Sequence, residues 1–99
     1  MRANTKNTPD YSVIIVSWNT FDHTKKCIRS VYENHPNSRL EIIVVDNASK
    51  DNSADKLAAE YPDLIVIKNR QNNGYAKANN QAIPIASGRI LIFMNSDTE

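Results

Sequence analysis

Two aspartates stand at the ends of apolar runs, where an unpartnered carboxylate is costly. Asp46 closes "EIIVVD", and Asp97 closes "ILIFMNSD". A carboxylate so placed needs hydrogen-bond donors, solvent or a cation. Asp46 has two readings. It accepts backbone N–H groups from its own turn, "DNASKDNS", or it accepts from a ligand N–H such as a nucleobase edge. Asp97 cannot build an all-protein metal cage alone. It can hold Mg²⁺ or Mn²⁺ when a ligand diphosphate and waters supply the other oxygens; otherwise it is an ordinary turn or helix-cap aspartate. Trp18 is the only tryptophan and ends the run "YSVIIVSW". Its ring can stack on a base or sugar, or serve as rim packing.

Other chemistries are poorly represented. The first turn, "SWNTFDHT", lacks G-x-G-x-x-G, and there is no Walker-type lysine loop. His23 and His35 lack metal-ligand spacing. Cys27 is the only cysteine, so no intrachain disulfide can form, and its place on a helix stripe reads as packing. A net charge of +1 gives no reason to expect nucleic acid as a partner. Residues 1–10, "MRANTKNTPD", are polar and read as a flexible lead. No apolar run reaches membrane-spanning length. The expected location is cytoplasmic, with membrane association of a longer parent left open.

The elements that must position these residues follow from periodicity. "YSVIIVSW", "LEIIVVD", "LIVIK" and "RILIFMN" are Ile- and Val-rich and nearly continuous, as in strands buried on both faces of a parallel sheet. Between them lie three helical stripes. Phe21, Thr24, Ile28 and Val31 form the first, and Ala54, Leu57, Ala58 and Tyr61 the second. Ser53 is the expected N-cap of the second helix, and Pro62 stops it. Tyr75, Ala76, Ala82, Ile83 and Ala86 form the third, with Pro84 kinking or shortening it and Gly88 as its expected C-terminal cap. In that helix Asn80 is expected to face inward and brace the neighbouring loop.

The order βαβαβαβ predicts an α/β fold: an open, mostly parallel, doubly wound sheet of order 3-2-1-4 with helices on both faces. Ligands bind such sheets beyond the carboxyl ends of the strands, where the winding reverses. That rim would gather Ser17, Trp18 and Asn19, then Asp46 and Asn47, then Asn95, Ser96 and Asp97. Lys68, Asn69 and Arg70 would lie further out.

At these residues residues 11–99 resemble the nucleotide-sugar-binding half of a family 2 glycosyltransferase, a partial GT-A (Rossmann-like) fold. The similarity is strongest to the rhamnosyltransferase-like branch. "SVIIVSWN", "EIIVVDNASKDNSADKL", "NNGYAKANNQAI" and "ILIFMNSDT" resemble four family motifs in the family's order. The resemblance implies that Trp18 lies against a uracil or thymine ring and that Asp46 reads the imide N–H. Asp97 would bind the Mg²⁺ or Mn²⁺ that bridges the donor diphosphate. Ser17, Asn19, Asn95 and Ser96 would sit nearby, the Asn73–Gly74 turn would face the donor, and Lys77 would reach a phosphate. The first acid of the family's D-x-D motif is Asn95 here, which can accept a hydrogen bond but carries no charge. The implied partners are a UDP- or dTDP-sugar donor and a glycan or lipid-linked acceptor.

In the family the acceptor site and the catalytic base follow the D-x-D strand, so the base is expected beyond Glu99, and the chain resembles a truncated, inactive fragment. The rival readings are a stand-alone nucleotide-binding module and a structural α/β domain without catalysis. Truncation would leave the edge of the fourth strand open to self-association. Sedimentation should then give a mass that rises with concentration; a monomer mass throughout a wide range would remove that expectation.

Overall fold

Residues 13–16 and 42–45 are β-branched at every position. Such side chains are stiff at χ1 and suit a pleated surface. In the computed structural model they form the centre of a four-stranded sheet. The structure describes residues 9–34 and 39–95, Asn95 by its backbone alone. The elements are β1 (Tyr11–Ser17), α1 (Phe21–Asn34), β2 (Leu40–Asp46), α2 (Ser53–Glu60), β3 (Ile65–Lys68), α3 (Gly74–Ala82) and β4 (Ile90–Asn95). The sheet order is β3-β2-β1-β4, and all three pairings are parallel. The expected fold class and strand order hold.

Alternation along β1 and β2 feeds two cores. Val13, Ile15, Ile42 and Val44 pack with Cys27, Ile28 and Val31 of α1 and Leu57 of α2. Ile14, Val16, Ile43 and Val45 pack on the opposite face with Ala78 and Ala82 of α3. Two alanines at i, i+4 let α3 approach the sheet closely. Burial raises the Cys27 pKa above its ordinary value, which suits a packing residue and not a nucleophile.

The sheet is less uniformly buried than the four apolar runs suggest. β1 and β2 are central and dry, whereas Ile65, Val66 and Ile67 of β3 are half-buried. In β4, Ile90 and Phe93 are 53% and 43% exposed. Edge position decides this, because a strand paired on one side lacks neighbours on the other. No helix among the described residues is long and apolar enough to cross a membrane.

The cap of α2 differs from the sequence expectation, whereas α3 is cut short ahead of Pro84 as expected. Asn52 caps α2 in a left-handed conformation (φ 61°). Ser53 instead opens the helix, and its N–H and hydroxyl both donate to Asp51 Oδ1. Burial alone would raise the Asp51 pKa, but these bonds and two further backbone N–H groups hold it below the ordinary 3.8. Helix α3 ends at Ala82, two residues before Pro84. Its buried face is Ala78, Asn79 and Ala82, while Tyr75, Ala76 and Ile83 are exposed. Of the expected stripe, Ala82 and Ala86 do pack on the sheet, whereas Tyr75, Ala76 and Ile83 do not. The sheet selects the small residues, because bulky ones would hold the helix away.

Gly88 does not cap α3. It lies where the chain re-enters the sheet, and a Cβ there would meet Ser12 N at 2.5 Å and Tyr11 C at 2.6 Å. Its N–H donates to Ser12 Oγ at 2.7 Å, and that hydroxyl donates to Glu41 Oε2 at 2.7 Å. The Ser87 N–H and hydroxyl also donate to Glu41, at 2.8 and 2.9 Å. This clamp ties β1, β2 and the entry to β4 at the amino end of the sheet. Burial would raise the Glu41 pKa, but the three hydrogen bonds outweigh it and hold the pKa below the ordinary 4.5.

Two outcomes follow from the clamp. Gly88→Ala should cost about 1–3 kcal/mol in denaturant unfolding, because rigid backbone must shift to admit the methyl. A depressed carboxyl pKa stabilises the fold at neutral pH, and this contribution is lost as pH falls through the folded-state value, below 4.5. Glu41→Gln should therefore lose about 1–2 kcal/mol at pH 7 and show a flatter acid limb than the wild type.

Candidate functional site

Parallel pairing aligns the strand tips. Ser17 pairs with Asp46, Asp46 with Lys68, and Val16 with Asn95. Each helix returns antiparallel to the strands, so the N-termini of α1, α2 and α3 lie at this same carboxyl rim. Trp18 follows Ser17 directly and is 52% exposed, which leaves its ring available to a ligand. Non-glycine residues with positive φ are Asn19 (52°), Ala48 (68°) and Asn52 (61°) among the described residues. All three sit in the loops after β1 and β2. Backbone strain of this kind, about 1–3 kcal/mol each, persists only where surrounding contacts over-determine it.

Asp46 is 3% exposed. Its Oδ2 accepts from Ser49 N at 3.0 Å, and its Oδ1 accepts from Ser49 Oγ at 2.5 Å. Its own turn thus supplies donors to both oxygens. A carboxylate has about four lone-pair sites, so acceptor capacity remains for a ligand N–H. Ser49 also receives the Asn19 N–H at 2.8 Å, and Asn19 Oδ1 accepts from Lys50 N at 2.6 Å. The loops after β1 and β2 are thereby laced together beside Trp18.

Ser17 was expected to touch a ligand. Its side chain is fully buried, and its Oγ lies 2.9 Å from Thr24 Oγ1 and 3.3 Å from Thr20 Oγ1. The hydroxyl therefore locks α1 to the tip of β1, because inward alternation in β1 turns it toward that helix. Its carbonyl accepts from Asn47 N at 2.8 Å.

Asn73 and Gly74 form the entry to α3. Gly74 has φ 82°, and no atom would obstruct a Cβ there, so conformation and not space requires glycine. Its N–H donates to Asn72 Oδ1 at 2.8 Å. Lys77 is exposed and lines an open groove with Asn73, Asn80 and Gln81. Asn80, expected inside, is exposed; Asn79 is the buried member of the pair. The phase shift of α3 explains the exchange. Asn79 Oδ1 has no hydrogen-bond partner among the described residues.

Asn95 is described by its backbone, which leaves the sheet beside β1. Ser96 and Asp97 lie outside the described residues, as does His35. Among the described residues no group of three His, Cys, Asp or Glu side chains could hold a metal.

Ser49 and Gln81 escaped sequence reasoning, as did the partners of Asn47 and Asn69. Ser49 holds Asp46, and its only sequence signal is a hydroxyl three residues after a strand-ending aspartate. Asn47 is 2% exposed and reaches both Asn69 and Gly74. Asn69 pairs with Gln81 through two amide bonds of 2.8 Å each. Adjacency to Asp46 marked Asn47 as a rim residue. Nothing in the one-dimensional sequence joins Asn69 to Gln81.

Comparison with known proteins agrees with this geometry. The family model for glycosyl transferase family 2 matches residues 12–99. Glycosyltransferase AglE of Haloferax volcanii is 37% identical over 98 residues, which cover 94% of this chain and 32% of that protein. Mannosyltransferase PcManGT from Pyrobaculum calidifontis, solved in complex with GDP-Man and Mn²⁺, superposes with a TM-score of 0.75 at 29% identity, over 90% of this chain and 28% of that one. TarS 1–349 of S. aureus in complex with UDP gives a TM-score of 0.77 at 27% identity, over 89% and 27%. The chain thus spans about a third or less of the proteins it matches. With the family's model matching nearly all of it, and a sheet whose tips meet at one rim, the chain belongs to glycosyl transferase family 2.

Proposed function

We propose that this chain is the donor-binding part of an inverting, rhamnosyltransferase-like glycosyltransferase. The donor would be a UDP- or dTDP-sugar and the acceptor a hydroxyl of a glycan or lipid-linked glycan. The observation that carries this reading is the exposed Trp18 indole on the same sheet rim as Asp46 and the exit of β4. In this reading the indole stacks on the base, and Asp46 accepts its imide N–H with lone pairs that Ser49 leaves free. Asn19 and the Asn73–Gly74 turn bound the donor, and Lys77 reaches a phosphate.

Asp97 is the proposed metal ligand, with Asn95 and Ser96 beside it. A divalent cation, when bound, would offset charge developing on the departing diphosphate. The acceptor hydroxyl would attack the anomeric carbon as the bond to the diphosphate oxygen breaks. A base outside residues 1–99 would take the hydroxyl proton. Residues 1–99 alone would then bind the donor without turning it over.

One observation favours a second reading. Asp46 already receives two hydrogen bonds from Ser49, as in a domain whose polar tips merely cap the sheet. Titration with UDP, dTDP and GDP, with and without Mn²⁺, separates the two through Trp18 fluorescence. Metal-dependent quenching by UDP or dTDP is expected. Trp18→Ala removes the only indole, so its affinity is read by titration calorimetry; UDP binding should weaken about tenfold with little change in Tm, as loss of one base-stacking contact. Quenching by GDP alone would change the donor class. No response to any nucleotide would leave the capping reading in place.

A further inference from the structure

We infer that Asn47, Asn69 and Gln81 are positioning residues that set the entry of α3 for the donor; this rests on the donor-site reading above. The three amides form one continuous relay. Asn47 Oδ1 accepts from Asn69 Nδ2 at 2.9 Å and from the Asn73 N–H at 3.4 Å. Asn47 Nδ2 donates to the Gly74 carbonyl at 3.3 Å. Asn69 Nδ2 donates to Gln81 Oε1, and Gln81 Nε2 donates to Asn69 Oδ1, each at 2.8 Å. The backbone fixes the relay to the sheet: Asn47 N donates to the Ser17 carbonyl at 2.8 Å, and Asn69 N to the Asp46 carbonyl at 2.9 Å.

The relay grips α3 at two places. Asn47 holds its first residues through Asn73 and Gly74, and Asn69 holds its last full turn through Gln81. Gly74 and Gln81 are seven residues apart, two helical turns, and so lie on one face. A helix held at one end can pivot; held at both, it has one tilt relative to the tips of β1 and β2. The amide orientations are also fixed. Rotating Asn47 by 180° about its terminal bond would set its NH₂ against the Asn69 NH₂ and the Asn73 N–H, and its oxygen against the Gly74 carbonyl.

The relay is half-buried and anchored on the buried Asn47; side-chain networks whose members are all satisfied specify a unique arrangement. Here what they specify is the distance between the Asn73–Gly74 turn and the tip of β2 at Asp46. Gln81 lines the groove beside Lys77 but is assigned no contact with the donor. It acts through Asn69 and Asn47.

The test uses Gln81→Glu and Gln81→Leu in the 99-residue chain, with amide hydrogen exchange, UDP affinity and Tm measured at pH 7 and about pH 4. At pH 7 the glutamate places an acceptor against Asn69 Oδ1. Exchange at the Asn73 amide should quicken, and UDP affinity should fall about tenfold, as for loss of a half-buried hydrogen bond or two. A carboxyl protonated at about pH 4 can donate as the amide did. Exchange and affinity of Gln81→Glu, each taken relative to wild type at the same pH, should then recover. Gln81→Leu should stay impaired at both pH values, and it carries the exchange and affinity tests if the charged variant does not fold.

Wild-type exchange at Asn73 in both variants would overturn the relay. Faster exchange with unchanged UDP affinity would overturn its role in positioning the donor. A wild-type chain that binds no UDP would remove the donor-site reading instead, while exchange at Asn73 would still decide whether the relay sets the turn.

Discussion

Four parallel strands hydrogen-bonded in register must all end at the same side of the sheet, and each helix between them must begin there. Every other feature of the site depends on that constraint. Ser17, Asp46 and Lys68 form one row across the sheet, and Asn95 pairs beside them. The rim also collects backbone groups that the sheet itself cannot pair. Loops that leave a parallel sheet at one edge must satisfy their amides with side chains, bound water or ligand.

Most of that demand is met by short polar side chains. Ser49 serves Asp46, Asn19 serves the loop around Lys50, and Asn47 serves the entry of α3. These contacts flank Asn19 and Ala48, two of the three residues in left-handed conformations. The same contacts decide which surfaces stay available. Ser17 and Asp46 are drawn into the protein, while Trp18 remains half-exposed. The rim is therefore a hydrogen-bonded polar lattice from which the Trp18 indole projects, with Tyr75 exposed in the first turn of α3. Such an arrangement suits a planar ligand with polar edges.

The opposite end of the sheet does different work. Glu41, Ser12, Ser87 and Gly88 hold the amino ends of β1, β2 and β4 together through a single carboxylate. Separating a closing clamp from a functional rim lets the two ends be specified by different residues. Between them lie two apolar layers, one filled by large side chains of α1 and α2 and the other by the alanines of α3.

The four Ile/Val runs and the polar breaks between them determined the element order, and right-handed crossovers then restricted the winding to the observed one. Sequence also marked Trp18, Asp46 and Asn95 as tip residues, because a polar residue ending an apolar run has few other places to lie. It did not determine the phase of α3. Tyr75, Ala76, Ala82, Ile83 and Ala86 looked like a core stripe; Ala82 and Ala86 do pack on the sheet, but the bulkier Tyr75 and Ile83 lie outside and Ala78 takes the inner place, because the sheet is close and that closeness exists only after the layers pack. Nor did it determine the inward turn of Ser17, which depends on where Thr24 lies across a packed interface. The pairing of Asn69 with Gln81 is likewise a product of tertiary structure: local periodicity records which face a residue occupies on its own element, and only packing records which foreign amide stands opposite it.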